Sequence, residues 1–272
     1  MNGANLPVKS ILVKDKTWRS QNSKVIREVP VSLTVNGELW LTFMCTPIDL
    51  EDLGVGFLFN EGLVQSFQDI ADVRICTNIQ NIDIWTRHPL GKPDQWRRTS
   101  GCTGGMTHVE KTDVDDQNHS IVLTNGGTLT PSQISYLVGR LFKAQELYRQ
   151  SGGVHTSTLT NGEDIFVTAE DIGRHNTLDK IAGRCLRQNI QLSRRILLTT
   201  GRISSEMLQK AVRMNTATVI TRTSPTSLSI ELADQIGITL IGYARQDQFI
   251  IYTHPERIHL ETAIKVKELE NH

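Results

Sequence analysis

Arg195-Ile196-Leu197-Leu198-Thr199-Thr200-Gly201-Arg202-Ile203-Ser204-Ser205 reads as a short apolar strand that ends in a glycine-arginine turn backed by serines. The same arrangement recurs three times. Asp164 to Thr168 leads into Ile172-Gly173-Arg174-His175-Asn176, and Ala217 to Thr221 into Arg222-Thr223-Ser224-Pro225-Thr226-Ser227. Ile238 to Tyr243 leads into Arg245-Gln246-Asp247-Gln248. A helical pattern follows the turns at 172, 201 and 222. In an open α/β sheet, ligands sit outside the carboxyl ends of the strands, where helix N-termini present free N–H groups. The pattern therefore predicts that Arg174, Arg202, Arg222 and Arg245 gather around one pocket suited to a polyanion. Serine and threonine at 204, 205, 224, 226 and 227 add donors of the kind that hold phosphate. One arginine after a strand is as readily a solvated charge or a cap for a nearby acid; four at matching places carry the reading.

Working outward, the alternation β-α-β-α-β-α-β-β runs to about Thr253 from the break at Ser151-Gly152-Gly153-Val154-His155-Thr156. Before that break, Thr128 to Ser132 opens one helix through Arg149, with Ile134, Leu137, Val138, Leu141 and Leu147 on its apolar face. The first part is richer in strands. Val25 to Val31 and Glu38 to Cys45 are β-type runs joined by Asn36-Gly37, a hairpin signal. Thr46 and Pro47 fit the N-cap and first position of a helix that Gly62 ends. Short strands follow at Asp72 to Thr77 and Asn81 to Arg87, and 88–117 reads largely as a mobile, glycine-containing loop. The fold class expected is α/β (α+β overall). A strand-rich N-terminal α+β domain over 1–128 precedes a C-terminal α/β layer domain over 129–272.

The chain has 272 residues, enough for a substantial core, and 29 basic residues balance 29 acidic ones. Bulk attraction to nucleic acid or to a membrane needs a basic excess, so neither partner is expected. No apolar run is long enough to span a bilayer, and Met1 to Ser10 has no signal-peptide core. A cytoplasmic protein is expected. Its four cysteines, Cys45, Cys76, Cys102 and Cys185, fit reduced thiols, and none are at C-x-x-C spacing, so no metal site is expected.

Cys45, Cys76 and Cys185 fall in apolar patterns and read as small buried hydrophobes. Cys102 instead sits in Arg97-Arg98-Thr99-Ser100-Gly101-Cys102-Thr103-Gly104-Gly105. Positive charge nearby favours the thiolate, which is the nucleophile. A chance surface cysteine is an equal alternative on these residues alone. Gly152 and Gly153 allow close backbone approach to a ligand, with His155 as hydrogen-bonding or proton-transfer group, although a structural histidine closing the helix fits as well. Asp171 to Asn176 packs an acid, an arginine and a histidine before a helix. Its plainer reading is a helix start with Asn176 as N-cap and Arg174 paired to Asp179. No G-x-x-x-x-G-K-[ST] or G-x-G-x-x-G motif occurs, which leaves P-loop hydrolysis and ordinary dinucleotide binding without support.

The blocks Asn60-Glu61-Gly62, Gly152-Gly153-Val154-His155, Glu170-Asp171-Ile172-Gly173-Arg174-His175-Asn176 with Asp179-Lys180, and Gly201-Arg202 with Ser205-Glu206-Met207 resemble the FdhD family of formate dehydrogenase accessory sulfurtransferases. Ser224-Pro225-Thr226-Ser227-Leu228 and Gly242-Tyr243-Ala244-Arg245 extend the resemblance, which runs from about residue 25 to Thr253. It implies a sulfur carrier. A cysteine desulfurase would load Cys102 as a persulfide, and the sulfur would pass to the molybdenum bis(molybdopterin guanine dinucleotide) cofactor of formate dehydrogenase. Guanine nucleotides would mimic that cofactor in part. The implied cofactor segment is Tyr243, Ala244, Arg245, Gln246, Asp247 and Gln248. Arg174, Arg202, Arg222, His155 and His175 would complete the pocket, and a homodimer is the expected assembly.

Some members carry C-x-x-C in the loop where this chain has Gly105, so Cys102 would act without a second thiol there. A non-catalytic chaperone for the cofactor is the alternative, and a nucleotide hydrolase built on Asp171 and His175 a third. The resemblance also implies a cytidine-deaminase-like C-terminal fold. Zinc deamination needs H-x-E and P-C-x-x-C, and His155-Thr156-Ser157 supplies no glutamate.

Overall fold

The computed structural model describes residues 3–76, 80–93, 96–98, 106–108 and 127–259, the two three-residue pieces by backbone alone. The chain opens with a hairpin, β1 (Asn5–Lys14) and β2 (Thr17–Ile26), paired in unbroken register from Asn5↔Ile26 to Lys14↔Thr17. Asp15 and Lys16 turn it with φ of 50° and 61°, the left-handed pair that matches the strand twist. A new strand, β3 (Val29–Val35), begins after Arg27 and Glu28, so the expected run from Val25 to Val31 is split between two sheets. Asn36 and Gly37 turn it into β4 (Glu38–Cys45) as expected.

Helix α1 (Leu50–Asn60) starts later than its sequence signal. Asp49, left-handed at φ 51°, is its N-cap, while Thr46 is fully buried and committed elsewhere: its N–H donates to Asp171 Oδ2 at 3.1 Å and its hydroxyl accepts from Ile172 N–H at 3.3 Å. After β5 (Ile70–Cys76) and β6 (Asn81–Thr86), the first main sheet is complete in the order β4-β3-β6-β5. Val31, Leu33, Phe43, Ile82 and Ile84 from it bury Leu53, Phe57 and Leu58 of α1. Cys76 is exposed at the end of β5, not buried as its alternation suggested; Cys45 and Cys185 are buried. Within the expected loop, β7 (Trp96–Arg98) and β8 (Met106–His108) pair antiparallel, and Cys102 lies outside the described residues.

The single helix expected from Thr128 to Arg149 is two. Thr130 caps α2 (Pro131–Ala144) with a capping box to Gln133, and α3 (Glu146–Ser151) restarts after a break at Gln145. The second main sheet is built from β9 (His155–Thr160), β10 (Ile165–Asp171), β11 (Ile196–Thr199), β12 (Thr218–Thr221), β13 (Thr239–Gly242) and β14 (Ile250–Ile251), in the order β10-β9-β11-β12-β13-β14. Helices α4 (Arg174–Arg187), α5 (Ser205–Arg213) and α6 (Ser227–Ile236) follow β10, β11 and β12. On one face Ile134, Leu137 and Leu141 of α2 meet Leu198 and Ile220; on the other Leu178, Ile181, Met207 and Leu208 of α4 and α5 meet Val219 and Leu240.

Helix α1 lies directly on α4. A Cβ on Gly56 would stand 1.7 Å from Asp179 O, and one on Gly183 1.9 Å from Asp52 O, so only glycine lets these backbones touch. Phe59 packs against both cores, joining the two sheets through this helix pair.

Candidate functional site

Strand β9 is antiparallel to both β10 and β11, and β11, β12 and β13 are parallel to one another. The carboxyl ends of β10, β11, β12 and β13 therefore share one edge, where β9 begins at His155. The sequence pattern omitted β9, because His155-Thr156-Ser157-Thr158-Leu159-Thr160 is polar. Its hydroxyls are buried and paired: Ser157 Oγ is 2.7 Å from Thr177 Oγ1 and donates to Thr199 Oγ1 at 2.8 Å, and Thr156 Oγ1 donates to Glu170 at 3.0 Å. This insertion leaves all four arginine turns on the same edge.

Arg174 opens α4 and is buried; its stem crosses Gly201, where an added Cβ would come within 2.8 Å of Arg174 Cβ and 3.1 Å of Cδ. His155 stands beside it, its Nδ1 3.4 Å from Thr200 Oγ1. Burial lowers the His155 pKa, and Arg174 and Arg202 lower it further against the opposing pull of Asp171. His175 is buried, with no hydrogen-bond partner at either ring nitrogen. Burial, then Lys210, Arg174 and His155, hold its pKa well below the ordinary histidine value, so it is a neutral imidazole. These couplings place His155, His175, Arg174 and Arg202 in one electrostatic group.

The other two arginines form a second group. Arg222 stacks over the Phe142 ring at 4.2 Å, and its Nε is buried without a hydrogen-bond partner. Its pKa is lowered by burial and then by the like charge of Arg245. Two guanidiniums held near each other, one against an aromatic face, are chemically suited to an anion. A cavity of about 400 Å³ is lined by His155 of the first group and Arg222 of the second, together with Phe142, Tyr148, Gly152, Gly153, Thr200 and Thr223; Arg174, Arg202, Arg245 and His175 are not in its lining. The segment after β13 bends over the same edge. Tyr243 is left-handed at φ 49° and is pinned by its N–H to Thr223 O at 2.8 Å; Ala244 N–H donates to Thr221 O at 3.0 Å, and Arg245 N–H to Gln248 O at 2.8 Å. Ala244 is itself buried in the core, so it anchors the turn, while Tyr243, Arg245, Gln246, Asp247 and Gln248 are exposed around it.

The acids of the central motif are structural. Asp171 is fully buried, paired with Lys180 at 2.6 Å and accepting from Gly173 N–H and Asn176 Nδ2, both at 2.8 Å. Gly173, not Asn176, is the N-cap of α4, and Asp179 pairs with Lys210 at 2.7 Å rather than with Arg174. No hydrogen bond joins Asp171 to His175, which removes the pair on which a hydrolase reading rested. Glu170 accepts from the N–H groups of Glu146, Leu147 and Tyr148 at 3.0, 2.6 and 3.2 Å, and this carboxylate is what restarts the helix as α3. It thereby fixes Tyr148 at the cavity wall. Phe142, Tyr148, Thr200 and Thr223 were missed in the sequence; the only signal for the two aromatics is that they fall off the buried stripe of their helices.

A second cavity of about 1010 Å³ lies at the opposite edge, near Phe67, Arg187, Arg195 and Met214. Its arginines are already engaged: Arg187 with Glu51 and Asp52, and Arg195 with the carbonyls of Met214 and Ile190. Among the described residues no three His, Cys, Asp or Glu side chains form a group able to hold a metal ion, and no helix is long and apolar enough to cross a membrane.

Residues 26–259 match the model of the FdhD/NarQ family. The chain is 35% identical over 239 residues to the sulfur carrier protein FdhD of Staphylococcus aureus strain MRSA252, covering 86% of this chain and 88% of that one. The protein of the same name from strain Newman is 34% identical over the same shares. The crystal structure of a Desulfotalea psychrophila protein assigned as a formate dehydrogenase accessory protein superposes with a TM-score of 0.75 at 25% identity, covering 94% of this chain and all of that one.

Proposed function

The chain belongs to the FdhD/NarQ family, and from that premise we propose that it is a persulfide-carrying sulfurtransferase that holds the molybdenum bis(molybdopterin guanine dinucleotide) of formate dehydrogenase as cargo. The observation that carries the reading is a cavity with an aromatic wall, lined by Arg222 and His155, at the strand edge that also carries the turns of Arg174, Arg202 and Arg245. A dinucleotide cofactor presents two pyrophosphates. Arginines and the N-termini of α4, α5 and α6 suit those charges, while Phe142 and Tyr148 offer ring faces to a base.

Cys102 is the carrier in this reading. Its thiolate attacks the outer sulfur of a persulfide on a cysteine desulfurase; the donor S–S bond breaks, the donor thiolate leaves, and Cys102 becomes the persulfide with no net redox change. Releasing that outer sulfur as sulfide takes two electrons. With Gly105 where some relatives have a second cysteine, an external thiol attacks the inner sulfur and a second thiol resolves the mixed disulfide. Gly105 also favours the rival reading of a chaperone that binds the cofactor without carrying sulfur. The working assembly in this reading is a cytoplasmic homodimer that meets the desulfurase and formate dehydrogenase in turn.

Calorimetric titration with GDP tests the pocket. Wild type and Cys102→Ala bind alike, and Arg222→Ala and Arg245→Ala each bind at least about tenfold more weakly, from the loss of a charge-assisted contact. Equal binding by all four proteins would refute the arginine site. Full maturation of formate dehydrogenase by Cys102→Ser in a deletion strain would favour the chaperone.

A further inference from the structure

We propose that the β1–β2 hairpin is a docking arm for an acidic surface on the enzyme that receives the pocket's cargo, an inference that rests on the carrier reading above. Among the described residues no third strand joins this sheet, and a two-stranded hairpin is marginal alone. At about 3.3 Å per residue, ten-residue strands reach on the order of 30 Å from their root. The root is fixed at the pocket rim. Asn5 Nδ2 donates to Gln150 Oε1 at 2.7 Å, and Ile26 packs so closely on Gly153 that an added Cβ there would meet it at 2.9 Å. Gly153 lines the arginine cavity, so the root of the arm lies at the cavity rim.

The arm has an outward face. Directly opposed residues share a face, and Val13 opposes Trp18 while Ile11 lies two residues from Val13. These three side chains are 56%, 73% and 62% exposed, whereas Val8, Ser10, Leu12, Gln21 and Ser23 of the other face are partly covered. A tryptophan beside two β-branched residues is the kind of anchor that concentrates binding energy at protein interfaces. Lys9 and Lys24 share that face, Lys14 and Arg19 lie on the other and Lys16 stands in the turn, against Asp15 alone, a local excess on a chain that is neutral overall. Charge selects the occupant. Two such arms face to face would oppose like charges, which disfavours a second copy, and an acidic rim around an apolar groove is complementary.

The test is biolayer interferometry of the full chain against purified, cofactor-free formate dehydrogenase catalytic subunit, at low salt and at roughly tenfold higher salt. Wild type binds, and salt weakens it. Trp18→Ala binds about tenfold or more weakly. The double variant Lys9→Glu/Lys24→Glu loses binding at low salt and approaches wild type at high salt, and it keeps the inference testable if Trp18→Ala folds poorly. GDP titrates both variants as it does wild type. Unchanged binding by both variants, no binding by wild type, or a dimer that Trp18→Ala splits while enzyme binding persists would each overturn the arm. Failure of wild type to bind GDP while docking still depends on the arm would instead overturn the pocket.

Discussion

Replacing Lys210 by Met should cripple the fold, although Lys210 is not among the residues that line the pocket cavity. Lys210 is buried, with Asp179 Oδ1 and Oδ2 at 2.7 and 2.8 Å, Glu61 Oε1 at 3.3 Å and the Phe57 ring centroid at 5.4 Å. Asn60 Nδ2 also donates to Asp179 at 2.8 Å, so the cluster ties the end of α1 to α4 and α5. Removing one partner of a buried pair costs about 3–5 kcal/mol, because the other charge is left in low dielectric. For a chain of this size that is a melting point roughly 6–20 °C lower. The deficit depends on pH. Burial alone would lower the Lys210 pKa, but Asp179, Glu61 and their hydrogen bonds outweigh it and raise it, so the ammonium's contribution persists until pH climbs past the ordinary lysine value. Asp179 is already raised by burial against the pull of Lys210 and Asn60. Without Lys210 its folded pKa rises further, so the variant loses stability as pH climbs above about 4. Calorimetric melts of wild type and Lys210→Met at acidic and mildly alkaline pH check this: the gap should widen with pH, and the triple variant Glu61→Gln/Asp179→Asn/Lys210→Met should regain most of it. A Lys210→Met melt within a degree or two of wild type, with no pH trend, would refute the reasoning.

Gly183→Ala should melt several degrees lower or fail to fold, since its Cβ would sit 1.9 Å from Asp52 O, whereas Gly91→Ala, with open space around it, should match wild type by the same scan. Gly201→Ala should displace Arg174 and weaken GDP binding about tenfold or more, read by titration, with a smaller loss of stability. His155 has a depressed pKa, so the unliganded ring is neutral at pH 7, and a bound polyanion favours its proton. GDP should therefore bind more tightly as pH falls below about 6.5, and His155→Gln should flatten that slope in titrations across pH.

The strand-turn-arginine pattern was legible because each strand is a short run of apolar and β-branched residues closed by glycine or serine, and burial on both sides keeps such runs continuous. The edge they share was inferred correctly even though β9 went unread. Its threonines and serines look like a loop until the partners Thr177, Thr199 and Glu170, all distant in sequence, supply their hydrogen bonds. The hairpin β1–β2 was hidden for a different reason: Thr17 to Ile26 is mostly polar and faces solvent, so no core imposes a period on it. Asp171 invited a catalytic reading because an acid beside arginine and histidine is common in active sites. Only the fold shows that it neutralises Lys180, while its neighbour Glu170 caps α3. The blocks that carry the family resemblance thus divide in two. Asn60, Glu61, Asp179 and Lys180 hold helices together, while Arg174, His175 and Arg202 stand at the strand edge that the arginine turns share.

The most direct test of the carrier claim is peptide mass spectrometry after incubation with an active cysteine desulfurase and free cysteine. The account predicts one added, reductant-labile sulfur on the Cys102 peptide, absent from Cys102→Ala. An unmodified Cys102, with the desulfurase shown to turn over, would contradict it.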